Sequence, residues 1–160
     1  MRLRFFISVV ATATIAMATT GCAQGEAAEI ANIVDSDTYV ELYQETVVSF
    51  PEHLPDGMTF PDTPPPMEGE IGRGNAAGAA YFYWVCAWED IYLTKTDSST
   101  RQTAMDAMRK FPQTEWGSRY YDDPDNVWGA TLDAAELGDL TELRAFHESD
   151  CSFYRTGDGA

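Results

Sequence analysis

Residues Ala76 to Trp88 (AAGAAYFYWVCAW) run for 13 positions without a charge or a strongly polar side chain. A helix that is apolar on every side must be buried on every side, and 13 residues are too few to cross a bilayer. The chain therefore has to fold as other elements wrapped around this one. Gly72-Arg73-Gly74 precedes the run, Asn75 is placed to cap it, and Glu89-Asp90 follows it. The pattern predicts a central helix from Asn75 through Ile91, Tyr92 and Leu93 to about Thr96.

Downstream segments supply partners for that helix. Ser99 with Gln102 reads as a capping box, and Ala104, Met105, Met108 and Phe111 form one stripe that Pro112 ends. Asp106 is spaced to pair with Lys110. Thr114 to Tyr121 suits a short helical turn. Val127, Trp128, Leu132 and Ala135 continue on one stripe to about Leu137. Gly138 breaks that run, and Asp139 caps a last helix with Leu140, Leu143 and Phe146 that delivers Cys151. Gly74 and Gly78, with Ala77 and Ala80, are expected to let another backbone approach. The expected fold is all-α, a three- to four-helix bundle around a buried central helix.

Upstream, Pro51, Pro55, Pro61, Pro64, Pro65 and Pro66 forbid regular helix, so an extended strap is expected, with a turn at Pro55-Asp56-Gly57. Thr38 to Phe50 fits either period: Tyr39, Leu42, Tyr43 and Val47 suit a helix, and Thr46 to Phe50 suits an extended run. The expected organisation is a signal peptide over residues 1–21, a flexible tether over 22–37 and one domain over 38–156. Within that domain the Pro-rich strap covers 38–74 and the helices 75–156.

The N-terminus reads as a targeting segment. Met1-Arg2-Leu3-Arg4 is a positive start, Phe5 to Ala18 is 14 uncharged residues, and Thr19-Thr20-Gly21-Cys22 follows. Gly21-Cys22 resembles the lipobox of bacterial lipoproteins, although Thr19 stands where that motif usually has an aliphatic residue. The alternative is a plain secretory signal cut after Ala16-Met17-Ala18, with Cys22 left as a thiol. Cysteine arithmetic suits the lipid: if Cys22 is acylated, Cys86 and Cys151 remain as one disulfide pair. Zinc is the rival use of the cysteines, but there is no C-x-x-C and only His53 and His147 are present. No metal or cofactor is expected.

Charge removes whole classes of function. Asp plus Glu number 26 against 10 Lys plus Arg, and without Arg2 and Arg4 the chain from Cys22 carries net −18. A phosphate-binding surface for nucleic acid or for anionic lipid heads requires the opposite sign. No nucleic-acid partner is expected, only the membrane through Cys22 and an envelope protein.

Catalytic and ligand motifs are weak. Gly72-Arg73-Gly74-Asn75-Ala76-Ala77 matches a dinucleotide pattern but lacks the strand before it. Asp122-Asp123-Pro124-Asp125-Asn126 fails the EF-hand spacing at Val127 and reads as helix capping. Adjacent Glu89 and Asp90 diverge by about 100° on a helix, so they do not straddle one glycosidic bond, and they read as the polar edge of the buried helix. No catalytic residue is assigned. Tyr81, Tyr83, Trp84, Trp88, Trp116, Tyr120, Tyr121 and Trp128 serve either as core or, on a concave acidic surface, as a binding face for sugar or peptide.

Four features together resemble the small lipoproteins of actinobacteria. They are the Gly21-Cys22 leader, the strap from Phe50-Pro51 through Phe60-Pro61, the segment Tyr83-Trp84-Val85-Cys86-Ala87-Trp88-Glu89, and Gly138-Asp139 with Cys151. The resemblance implies a lipid anchor at Cys22 and pairing of Cys86 with Cys151, and it brings no activity with it. The functional expectation is an extracytoplasmic, lipid-anchored protein of the cell envelope that acts by interaction, as an accessory or scaffold subunit. A small ligand-binding domain using the aromatic and acidic surface is the alternative.

Overall fold

The computed structural model describes residues 32–156. The expected signal peptide, Cys22 and most of the expected tether lie outside these residues. The described residues form an all-α fold with one small sheet. Strand β1 (Ile33–Val34) pairs antiparallel with β2 (Ile71–Gly72), Ile33 opposite Gly72. The helices are α1 (Ser36–Val48), α2 (Gly74–Thr94), α3 (Ser98–Lys110), α4 (Gly117–Tyr120), α5 (Val127–Glu136), α6 (Thr141–Asp150) and α7 (Ser152–Thr156), with a 3-10 turn at Phe111–Gln113.

Helix α2 is the centre. Twelve of its residues are buried, and α1, α3, α6 and α7 all pack on it. One side meets Met105, Met108, Trp128, Leu132 and Leu143, the other meets Tyr39 and Tyr43 of α1. Trp88, expected inside, is only partly buried. Among the described residues no helix is long and apolar enough to cross a membrane.

The strap is held by five Tyr and Trp side chains. A Pro-rich segment has few N–H groups to pair with its own carbonyls. Phenol and indole groups of the helices donate to those carbonyls instead: Tyr39 to Pro65, Tyr43 to Pro61, Tyr83 to Thr59, and both Trp84 and Trp88 to His53, at 2.9–3.2 Å. Phe50 and Phe60 anchor the strap edge to face against each other and tilted against Tyr81 and Tyr83.

Several local expectations are corrected. Residues 33–37, expected within the tether, hold β1 and the start of α1 instead, and Asp35 caps α1 by accepting from the Thr38 N–H at 2.8 Å. Residues 38–48 are helix, so the strap begins at about Ser49. The helical period prevails because Tyr39 and Tyr43, one turn apart, both reach α2 and the strap. Asn75 is inside α2, which starts without a side-chain cap, and α2 ends at Thr94. Asp97 caps α3, its carboxylate accepting from the Thr100 N–H and the Ser99 hydroxyl, so no Ser99–Gln102 box forms. Gln102 instead donates to Asp106, and Lys110 pairs with Glu52 of the strap. Gly138, at φ +96°, closes α5 with Gly138 N–H to Ala135 O and Asp139 N–H to Ala134 O, a geometry that favours glycine.

Candidate functional site

The first turns of α2 are built almost without side chains: Gly74, Asn75, Ala76, Ala77, Gly78. The space this leaves is not taken by another backbone, as expected from the small residues, but by aromatic rings of the α4 region. A Cβ at Gly78 would come within 3.0–3.1 Å of the Trp116 ring, and one at Gly74 would come within 3.0 Å of Tyr120. The Trp116 indole N–H donates to Gly74 O at 3.0 Å, which fixes the ring against the start of α2. Thr114 holds the turn below it, its hydroxyl bridging Phe111 O and the Gly117 N–H.

The result is an open groove of about 1100 Å³ running over the start of α2, between α1 with the strap and α4. Trp116 and Tyr120 form one wall, and Tyr39, Leu42, Pro65 and Met67 form much of the other. Tyr120 is 50% exposed, which leaves a ring edge free for contact. Two cations are part of the lining: Arg73 adjoins Gly74, and Arg119 lies over the Tyr120 ring at 5.2 Å. Glu45, Glu115 and Asp150 stand on the same rim. Elsewhere Arg109 pairs with Asp133 and Glu136, Lys110 pairs with Glu52, Arg155 donates to the carbonyls of His147 and Glu148, and Arg101 lies over the Tyr92 ring. Arg73 makes no ion pair among the described residues.

The aromatic set therefore divides. Tyr81, Tyr83, Trp84 and Trp128 are buried, Tyr81 also reaching the groove; Trp88 and Tyr121 are partly buried; Trp116 and Tyr120 line the groove. The loop 122–126 caps α5: both Asp123 carboxylate oxygens accept, from Val127 N–H and Trp128 N–H, at 2.7 and 2.9 Å.

A second cluster lies under α6 and α7. Cys86 and Cys151 are joined by a disulfide with Cα atoms 5.5 Å apart, both sulfurs buried. Glu89, expected at a polar edge, is only 4% exposed and points at the disulfide, Oε2 lying 3.5 Å from Cys151 Sγ. A disulfide sulfur has no proton to donate, so this is a contact and not a hydrogen bond. His147 Nδ1 approaches Glu89 Oε2 at 3.4 Å, within ion-pair range, and this buried nitrogen makes no hydrogen bond. Asp90 turns to the Tyr154 hydroxyl at 3.4 Å. His147 was not singled out from the sequence; its spacing of four from Cys151 is the signal that places both on one helical face.

Burial pushes the Glu89 carboxyl above the usual carboxylate range; His147 pulls it partly back, and Asp150 adds to the rise. Tyr121, from the loop after α4, and Asp90 with Tyr154 are further titratable groups near it. Because the folded value exceeds the unfolded one, the stabilising contribution is fully present in acid and is lost as pH rises through the folded value. Glu89→Gln should therefore be more stable than wild type near neutral pH by about 1 kcal/mol, with the difference shrinking towards pH 4. Thermal melts from pH 4 to 8 check this, and a difference that does not change with pH would contradict it.

No protein-family model, no curated protein and no solved structure matches this chain.

Proposed function

We propose that this is an envelope protein, exported and held on the extracytoplasmic face by lipid on Cys22, which acts by binding through the groove over the start of α2. The observation that carries the binding reading is the groove itself: a concave aromatic wall of Trp116 and Tyr120 facing apolar side chains, with two cations in its lining. Pockets that hold small ligands share this mixture of apolar lining and a few convergent polar groups. Arg73 and Arg119, set among Glu45, Glu115 and Asp150 in the lining, give two cations for the anionic end of a ligand whose body is apolar or aromatic. The chemistry of a peptide terminating in a free carboxylate fits. The groove supports this over a purely scaffolding role, which requires no such cavity.

The binding reading is tested by thermal shift with short peptides ending in an aromatic residue, each as the free carboxylate and as the amide. Free carboxylates should raise the melting temperature and amides should do so less, and Trp116→Ala should remove the effect. No shift with any peptide, or a shift that survives Trp116→Ala, overturns it. The anchor is a separate prediction from Gly21-Cys22 after the apolar stretch. Intact mass of the protein recovered from the envelope should show a diacylglyceryl adduct on an N-terminal Cys22, and Cys22→Ala should release the protein to the medium. A wild-type N-terminus at Thr19, without lipid, contradicts it.

A further inference from the structure

We propose that Cys86, Glu89, His147 and Cys151 form a binding site for a divalent metal of the zinc class when the two sulfurs are thiols, so that disulfide and metal are alternative ties at one place in the fold. The donors come as two helical pairs: Cys86 and Glu89 are three apart on α2, and His147 and Cys151 are four apart along and just past α6. Those spacings put each pair on one face. The two faces meet, with the donor atoms of Cys86, Glu89 and Cys151 all within 4.8 Å of one another and His147 Nδ1 3.4 Å from Glu89. Zinc bonds to sulfur, nitrogen and carboxylate oxygen at about 2.0–2.3 Å in a tetrahedron, so ligand atoms around one ion lie roughly 3.3–3.8 Å apart. Cys86, Glu89 and Cys151 already lie close to that spacing, and His147, 3.4 Å from Glu89, is the fourth donor that side-chain rotation would bring in.

The second observation is the His147 imidazole, whose buried Nδ1 makes no hydrogen bond. A disulfide is chemically complete and asks nothing of its neighbours. Here two groups costly to bury lie beside it: the Glu89 carboxyl, 3.5 Å from Cys151 Sγ, and the His147 Nδ1, which makes no hydrogen bond and stands 3.4 Å from Glu89. As metal ligands both would be satisfied: the Nδ1 lone pair and a carboxylate oxygen complete a four-coordinate set with two thiolates. All four residues are buried, as in closed structural sites.

The exchange balances as follows. A dithiol reductant gives two electrons and two protons to the Cys86–Cys151 bond, leaving two thiols while the dithiol closes to its own disulfide. Binding of the ion then forms two metal–sulfur bonds and releases both thiol protons to solvent. Either tie joins α2 to the C-terminal helices. The choice between them is set by the redox state around the protein.

The test uses the full chain carrying Cys22→Ala, which removes the third thiol. The protein is reduced with a phosphine, whose phosphorus takes its oxygen from water, and is titrated with Co²⁺ and then Zn²⁺, with helix content followed by circular dichroism. The reduced protein should bind one Co²⁺ with thiolate-to-cobalt charge-transfer and tetrahedral absorption, which equimolar Zn²⁺ abolishes. The oxidised protein should show neither band. His147→Ala and Glu89→Gln should each weaken binding by about tenfold or more, and Cys86→Ser with Cys151→Ser should abolish it. If reduction melts the protein, Zn²⁺ should restore the helix signal. A folded reduced protein without thiolate bands, bands indifferent to His147→Ala and Glu89→Gln, or a melted protein that Zn²⁺ does not refold would each overturn the proposal.

Discussion

Replacing Trp84 by Ala should cost about 3–5 kcal/mol, the range for deleting a fully enclosed aromatic side chain. Trp84 is 1% exposed at the middle of α2, its ring faces Phe50 of the strap, and its indole N–H donates to His53 O at 2.9 Å. The substitution therefore opens a cavity and loosens the strap together. Trp88→Ala should cost clearly less: Trp88 donates to the same carbonyl, but its ring is only partly buried. Urea unfolding of both variants, at an unchanged dependence on denaturant, measures the difference. A loss below about 1 kcal/mol for Trp84→Ala is a surface-like value and would contradict the central place given to α2.

Removing the disulfide should have an effect of similar size. The bond closes a loop across 65 positions of separation, for which the chain-entropy model gives about 4 kcal/mol as an upper guide. A domain of this size is stable by only about 5–15 kcal/mol. Cys86→Ala with Cys151→Ala should then lower the melting temperature of the oxidised protein sharply, and peptide mapping without reductant should recover the two segments joined. Both thiols alkylatable without reductant would contradict the bond.

What could be read beforehand follows a physical line. The central helix was legible because an uncharged run of 13 residues leaves a helix no exposed face. The all-α class followed from the helical stripes after it. Helix starts were less legible, since Asp97 competes with Ser99 as a cap, and Asp35 sat in a segment whose small acidic residues read as tether. For Tyr39 and Tyr43 the decision between periods rests on the carbonyls of the strap, which are distant in sequence. The same holds for the groove. Small residues at the start of α2 announced a close approach, but whether a backbone or an indole fills the space depends on Trp116, some 40 residues on. Glu89 and His147 were illegible one at a time, because a carboxylate next to Asp90 and a histidine on a polar helix look solvated until two helices bring them together under the cysteines.

The central claim, that the protein acts through the groove over the start of α2, is tested most directly by amide chemical-shift mapping. The probe is N-acetyl-phenylalanine, which carries a ring and a carboxylate, titrated beside its amide. The account predicts that shifts cluster on Gly74, Ala77, Gly78, Gly117 and the Trp116 indole N–H, and that the amide produces weaker ones. Shifts scattered over the surface, or centred away from these residues, would contradict it.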